Sequence, residues 1–347
     1  MKNMAGTYLT EREQEILESV VQQFVLTGNP VGSRTISKKH HNTLSPASIR
    51  NVMADLEEKG YLDQPHTSAG RRPTTMGYRH YVDNLVDLAE LSEEEIILFK
   101  DYIGDFEGNL DFILEKTLQV LAKVSNLLGV ILTPRFDESI LEKIEIVRVS
   151  TEKLLVILSI KDGVAKTILL EVRHDLAENM IKTVVQVINE RLSGLRISEI
   201  KKTFGDRLQD IVDEESGLIR LFIDSADKLF DFTRYSNLIY SGASNIINYP
   251  EFSDVNKIST LIELFEEKNI IVHLMEKRSI PPQLKVTIGD ENEEELIQNC
   301  SIITAPYKIG EDDGILGVIG PTRIVYRRVI PIVDFTAKFV TAILQSK

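Results

Sequence analysis

The chain carries one cysteine, Cys300, and no tryptophan in 347 residues. A lone thiol forms no intramolecular disulfide and no cysteine-based zinc site. So little cysteine also sets a cytoplasmic location as the expectation. Long hydrophobic runs are lacking as well. The longest, such as Leu154 to Ile160, fall far short of the roughly 18 residues that a membrane helix requires, so no membrane partner is expected. The opening MKNMAGTYLTEREQE has no apolar segment of the kind a secretory signal carries. Catalytic signatures are missing too. His174 and His273 have no G-x-S-x-G elbow to serve. GVIGPTR, residues 317–323, lacks the spacing of a phosphate-binding loop and reads as a tight turn. Cys300 follows the acidic run Glu291 to Glu295, which raises a thiol pKa rather than activating it. His40 and His41 are adjacent, not four apart as in a helical metal pair. These absences set the expectation of no enzyme, no cofactor and no metal site.

What is present is enough apolar material, 43% of residues, for more than one core, and a length that suggests two or three domains of roughly 100–200 residues. The net charge of -13 is unevenly distributed. Residues 1–82 hold 10 Lys/Arg against 8 Asp/Glu, a net of +2, and the remainder holds 30 against 45, a net of -15. Between Gly28 and Ala54 there is no acid, only Arg34, Lys38, Lys39 and Arg50. Between Gln64 and Val82 there is again none, with Arg71, Arg72 and Arg79. Local charge decides whether phosphates are approached, so this small amino-terminal region is the candidate polyanion surface.

Local signals divide that region finely. Thr10 with Glu13 forms a capping box ahead of Ile16, Leu17, Val20, Val21 and Phe24 at helical spacing, and Thr27-Gly28-Asn29-Pro30 stops the helix. Ser33 is positioned to cap a second helix through Lys39, with His40 to Leu44 as a turn. Ser45-Pro46 opens a third, ending at Gly60, whose apolar face is Ile49, Val52, Met53 and Leu56. Tyr61-Leu62 reads as a strand, and Gln64 to Pro73 as a hairpin tip broken by Pro65, Gly70 and Pro73. A helix, a tight break, a second helix and a glycine-punctuated basic hairpin together predict a winged helix-turn-helix that holds DNA. In that geometry the first turns of the Ser45 helix meet base edges, where Arg pairs with guanine and Asn with adenine. Ser45, Ser48, Arg50 and Asn51 are the candidates there. His66, Thr67, Ser68, Arg71 and Arg72 suit phosphate oxygens or a narrow minor groove, with Gly70 permitting close approach. Ser33, Arg34, Lys38 and Lys39 are candidate phosphate anchors. Tyr78 and Tyr81, about one helical turn apart, read as core.

Farther on, helices are predicted from Ser92, over 110–128 and over 178–192, and strands over 144–149, 154–160 and 165–172, the last two joined at Lys161-Asp162-Gly163. Residues 194–267 read as mostly helical, with one strand near Leu238. Strands resume over 270–274, 285–288, 301–307 and 315–319, and a helix over 329–344 carries Pro331 near its start.

With both halves read, the chain resembles the heat-inducible transcription repressors of the HrcA family. The resemblance lies in TGNPVGSRTIS, SPASIRNVMADLEEKGYL and PHTSAGRRPTTMGYRHYVD near the amino end, and in VTIGDEN, SIITAPYKIG and GILGVIGPTRIVYRRVIPIVDF near the carboxyl end. Ser48 stands where the family pattern has threonine, which keeps the hydroxyl. The resemblance implies an α+β multidomain chain: a winged-helix domain over 1–90, a GAF-like domain over 91–193 and 268–347, and an inserted dimerisation domain over 194–267. It further implies a homodimeric repressor of chaperone operons that binds double-stranded DNA at an inverted-repeat operator, is inactivated by heat and is modulated by a GroE-type chaperonin. The alternative function is a repressor that uses the GAF-like domain to sense a small molecule.

Overall fold

A computed structural model describes residues 9–39, 44–66, 69–103, 110–134, 136–161, 164–172, 176–212, 217–231, 238–252, 283–310 and 312–345. The chain is a mixed helix-and-sheet protein, with three separate sheets among the described residues.

The amino-terminal unit is built as its local signals dictate. Helix α1 (Glu11–Thr27) starts at the capping box, where the Thr10 amide donates to Glu13 Oε2 at 2.8 Å and the Glu13 amide donates to Thr10 Oγ1 at 3.3 Å. It ends at Gly28, whose φ of 68° is the left-handed cap that glycine favours. Helix α2 spans Ser33–Lys39. Ser33 is inside this helix rather than capping it; the Gly32 carbonyl accepts from the Thr35 amide at 3.0 Å. Helix α3 (Pro46–Glu58) has Ser45 as its cap, accepting from the Ser48 amide at 3.1 Å. Strands β1 (Leu62–Asp63) and β2 (Arg72–Pro73) form an antiparallel hairpin, and Val31, between α1 and α2, bridges to Arg71 alongside it. Ile16, Leu17, Val20, Ile36, Ile49 and Leu56 are fully buried between the three helices. Helix α4 (Thr75–His80) and a wider π-type turn over Tyr81–Leu85 follow, and Tyr78 and Tyr81 are core, as their spacing predicts. Leu88, beyond that turn, is exposed.

The second unit is a five-stranded antiparallel sheet of order β7-β3-β10-β9-β8: β3 (Leu128–Leu132), β7 (Leu238–Ser241), β8 (Lys285–Ile288), β9 (Cys300–Ile309) and β10 (Asp312–Pro321). Helices α5 (Glu93–Ile103), α6 (Leu110–Ser125) and α12 (Tyr326–Gln345) cover one face, and α11 (Ala243–Ile247) lies on the other. Both faces are therefore buried. In β10, Leu316 and Val318 join one core while Ile315 and Ile319 join the other. Strand β3 departs from the helix expected to run on to residue 128. Asn126 takes a left-handed φ of 56°, which ends α6 at Ser125 and frees the β-branched LGVIL run for the sheet. GVIGPTR is likewise not a tight turn as a whole, since β10 continues through Pro321. Its glycines accept close neighbours; a Cβ on Gly317 would lie 2.2 Å from the Ile303 carbonyl oxygen.

Between β3 and β7 the chain leaves this sheet and forms a third unit. Strands β4 (Leu141–Ser150), β5 (Lys153–Ile160) and β6 (Ala165–Glu171) make a meander backed by α7 (Glu178–Leu192), α8 (Ile197–Leu208), α9 (Leu218–Asp224) and α10 (Ala226–Phe230). The described residues between Leu132 and Leu238 thus have their own sheet, and the resemblance implies an inserted domain at 194–267. Apolar, β-branched strands look alike in either sheet; only pairing separates them. Leu154, Val156, Leu158 and Ile160 face the helices, and Asn189 on α7 clasps β4 by bonding both the amide and the carbonyl of Ile144 at 2.7 Å. The other face of this sheet carries Val147, Leu155 and Leu169 in register across all three strands, with Val147 and Leu169 exposed. The strand expected at 270–274 lies outside the described residues.

No described helix is long and apolar enough to cross a membrane. Cys300 is buried, and that burial, not the acidic run, pushes its thiol pKa up to about 12.

Gly77 offers a test of the first unit's packing. A Cβ there would lie 2.2 Å from the Tyr61 carbonyl oxygen, at the end of β1. Helix propensity favours alanine over glycine by about 1 kcal/mol, but backbone overpacking costs about 1–3 kcal/mol. Gly77→Ala is therefore expected to lower stability in urea unfolding. A gain in stability would show that α4 is not seated against Tyr61.

Candidate nucleic-acid interface

Helix α3 offers one face to solvent. With Ile49, Val52, Met53 and Leu56 buried, the exposed side carries Ala47, Arg50, Asn51, Ala54 and Asp55. Arg50 and Asn51 are exposed, and among the described residues neither has a side-chain hydrogen bond or ion pair. Ser45 is exposed but committed as the helix cap. Ser48 is half-buried, and its hydroxyl accepts from Arg12 of α1. Arg12 thereby joins the front of α3 as a cation that sequence reasoning missed. It sits among the acids of α1's first turn, and only tertiary contact brings it to Ser48.

Helix α2 contributes Arg34 and Lys38, both exposed and without an ion pair among the described residues, and Lys39, whose Nζ donates to Gln22 Oε1 at 2.7 Å. The Ser37 hydroxyl donates to the Leu44 carbonyl at 2.8 Å, which ties the end of α2 to the entry of α3. His40 and His41 lie outside the described residues. Ser33 is half-buried at the first turn of α2.

The hairpin is more internally neutralised than its arginine content suggests. Arg71 Nη2 lies 2.7 Å from Glu57 Oε2 on α3, and its backbone is bonded in both directions to Val31. Arg72 makes two parallel bonds to Asp63, at 2.7 and 3.0 Å, and those bonds raise its pKa. Gly70 does permit a close backbone approach, but the partner is Val31, whose carbonyl oxygen would lie 2.4 Å from an added Cβ. His66 is exposed near the tip, where the Gln64 side chain donates to the Ala69 carbonyl at 2.9 Å. Thr67 and Ser68 lie outside the described residues.

The site therefore sorts itself. Arg34, Lys38, Arg50 and Asn51 are available, Arg72 is shared with Asp63, and Arg71 is a brace between hairpin and helix. Such a set of exposed cations and one amide on two adjacent helices can contact a polyanion and hydrogen-bond base edges.

The family model described as "HrcA protein C terminal domain" matches residues 111–330. A heat-inducible transcription repressor HrcA of Chlorobium phaeobacteroides (strain BS1) is 38% identical, over 95% of this chain and 96% of its own. The chain belongs to the HrcA family. A second HrcA repressor, from Geobacter sulfurreducens, is 36% identical over 98% of this chain and 100% of its own. Membership in the HrcA family makes the chain a heat-shock transcription repressor rather than an enzyme. A crystal structure described only as a hypothetical protein shares the fold, with a TM-score of 0.67 at 20% identity over 98% of this chain and 99% of that one.

One cleft lies away from this surface. It measures about 860 Å³ and opens between α6, β6, β7 and the end of α10, with Glu115, Gln119, Thr133, Lys166, Tyr240 and Ser241 on its walls. Lys166 is buried there, its Nζ donating to the carbonyls of Lys228 at 2.8 Å, Leu229 at 3.1 Å and Asp231 at 2.5 Å.

The Ser45 cap fixes where α3 begins and so which residues its first turn presents. Ser45→Ala is expected to cost about 1 kcal/mol of stability, measured by urea unfolding, because the Ser48 amide loses its acceptor. An unchanged midpoint would remove the cap from this account.

Proposed function

We propose that this HrcA-family chain represses chaperone operons by occupying an inverted-repeat operator as a homodimer, with 9–85 acting as a winged-helix reading head in the cytoplasm. The observation that carries this reading is the set of exposed Arg34, Lys38, Arg50 and Asn51 on α2 and α3, unpaired among the described residues. Asn51 and Arg50 are the base readers; Arg34 and Lys38 anchor phosphates. One head makes too few contacts for an operator, so two are held at a fixed separation and the dimer symmetry mirrors the repeat. The five-stranded sheet with its helices is the GAF-like body, and the excursion over 133–237 is the dimerising unit. The in-register apolar row of Val147, Leu155 and Leu169 supports that assignment. Heat acts through marginal stability. A loss of about 1–2 kcal/mol shifts the folded fraction several-fold, which empties the operator and leaves recovery to a GroE-type chaperonin.

Titration of inverted-repeat and scrambled duplexes over several salt concentrations tests this. Arg50→Ala and Asn51→Ala are expected to lose discrimination between the duplexes. Arg34→Ala weakens both alike and reduces the salt slope by about 1. Arg71→Ala, now read as a brace, lowers stability more than it changes the slope. Operator release by a repressor that stays folded and dimeric at elevated temperature would contradict the heat mechanism.

A second reading, a repressor governed by a small molecule, is favoured by the cleft beside Lys166. It predicts that a low-molecular-weight fraction of cell extract raises the melting temperature. No shift with any fraction leaves the first reading alone.

A further inference from the structure

The Gly317–Arg323 segment ends in a side chain that reaches across the molecule. Arg323 follows β10 in the sheet body, yet its Nη1 donates to the Val25 carbonyl at 3.1 Å, in the last turn of α1 in the reading head. The same guanidinium pairs with Glu251 through Nε, and through Nη2 at 3.3 Å, and lies over the Tyr249 ring at 5.7 Å. Its side chain is only 12% exposed. Gly28 is what lets it in: a Cβ at that left-handed position would sit 3.2 Å from the Arg323 Cζ. A cation at the carboxyl end of a helix is favourable, because the last carbonyls there lack helical partners.

A second arginine makes the reciprocal contact. Arg79, on α4 of the head, pairs with Glu291 of the body, donating from Nε at 2.7 Å, and its Nη2 donates to the Val286 carbonyl of β8 at 2.8 Å. Thr75 donates to Asp290 at 3.2 Å beside it. Two guanidinium groups, one from each unit, thus each bind a carboxylate and a backbone carbonyl. The contacts lie at the end of α1 and on α4, and they leave Arg50 and Asn51 on α3 exposed.

We infer that Arg323 and Arg79 form a two-point clasp that fixes the orientation of each reading head on the body, with Arg323 as the principal positioning residue. The inference rests on the DNA-binding reading above. Because the clasp leaves the α3 face open, it sets head spacing rather than masking the head. Two heads held at the operator's spacing bind the second half-site as an intramolecular event, and heads that swivel lose that effective concentration.

The test compares the full-length protein on a complete inverted repeat and on a single half-site. Arg323→Ala is expected to weaken binding to the complete repeat by about ten-fold or more while half-site binding changes by less than about two-fold. Limited proteolysis in the 86–92 stretch between head and body is expected to speed up in the same variant. Glu251→Gln, which keeps the Val25 contact but removes the counter-charge, gives the same split to a smaller degree and decides the matter if Arg323→Ala fails to fold. Arg323→Lys restores part of the full-repeat affinity. Equal losses on both duplexes, or tighter binding to the complete repeat, would overturn the clasp and leave DNA binding standing. Failure of the wild-type chain to bind either duplex would instead remove the DNA reading, and the clasp with it.

Discussion

The rings of Tyr78 and Tyr326, with centroids 5.9 Å apart, join the head to the body, and the rest of the architecture depends on that shared core. Tyr78 is on α4 and Tyr326 opens α12. Around them the buried apolar residues form one continuous cluster from Leu9 of the head to Val340 of the body. A unit of four helices and a two-residue-strand hairpin has little core of its own, and small domains are hard to stabilise alone. Packing against α12 and β8 adds burial that the head lacks. It also ties the pose of α3 to the body. Tyr326 is itself anchored, its hydroxyl bonded to Ser301 and to the Thr322 carbonyl, each at 2.6 Å, and burial raises its pKa well above the ordinary phenol value.

Charge is organised on the same plan. Cations at the head–body junction are consumed internally: Arg327 pairs with Asp87 and Arg328 with Glu95, besides the arginines already described. Those on the outer face of α2 and α3 are left open. Arginine suits the junction because its planar fork serves a carboxylate and a carbonyl together. An acidic body disfavours loose adhesion of polyanions, and in the proposed function the few cations uncompensated among the described residues are where nucleic acid is met. The count of basic residues in the first 82 positions overstates that surface, since Arg71 and Arg72 are partly spent on Glu57 and Asp63.

Legibility follows the range of the interaction. The capping box at Thr10, the Gly28 stop, the Ser45-Pro46 start and the apolar face of α3 were readable because each involves residues within one or two turns. Strand β3 was not, because LGVIL continues the apolar pattern of α6 and only the left-handed Asn126 and the pairing with β7 and β10 separate them. The division into sheets was not either, since partner choice among β-branched strands is decided by distant neighbours. In the candidate interface, Arg50 and Asn51 kept the place their helical phase gave them. Arg12 was invisible because it reaches Ser48 across 36 residues of sequence.

The sequence by itself determined the helices and hairpin of the head, the polar face of α3, the segregation of charge and the family to which the chain belongs, because these rest on short-range patterning and on motifs. Tertiary structure alone decided which cations are free, that the described residues between Leu132 and Leu238 own a separate sheet, and that Arg323 reaches back to the end of α1. Each of these is a pairing between groups far apart in the chain, and a linear sequence names the groups without saying which of them meet.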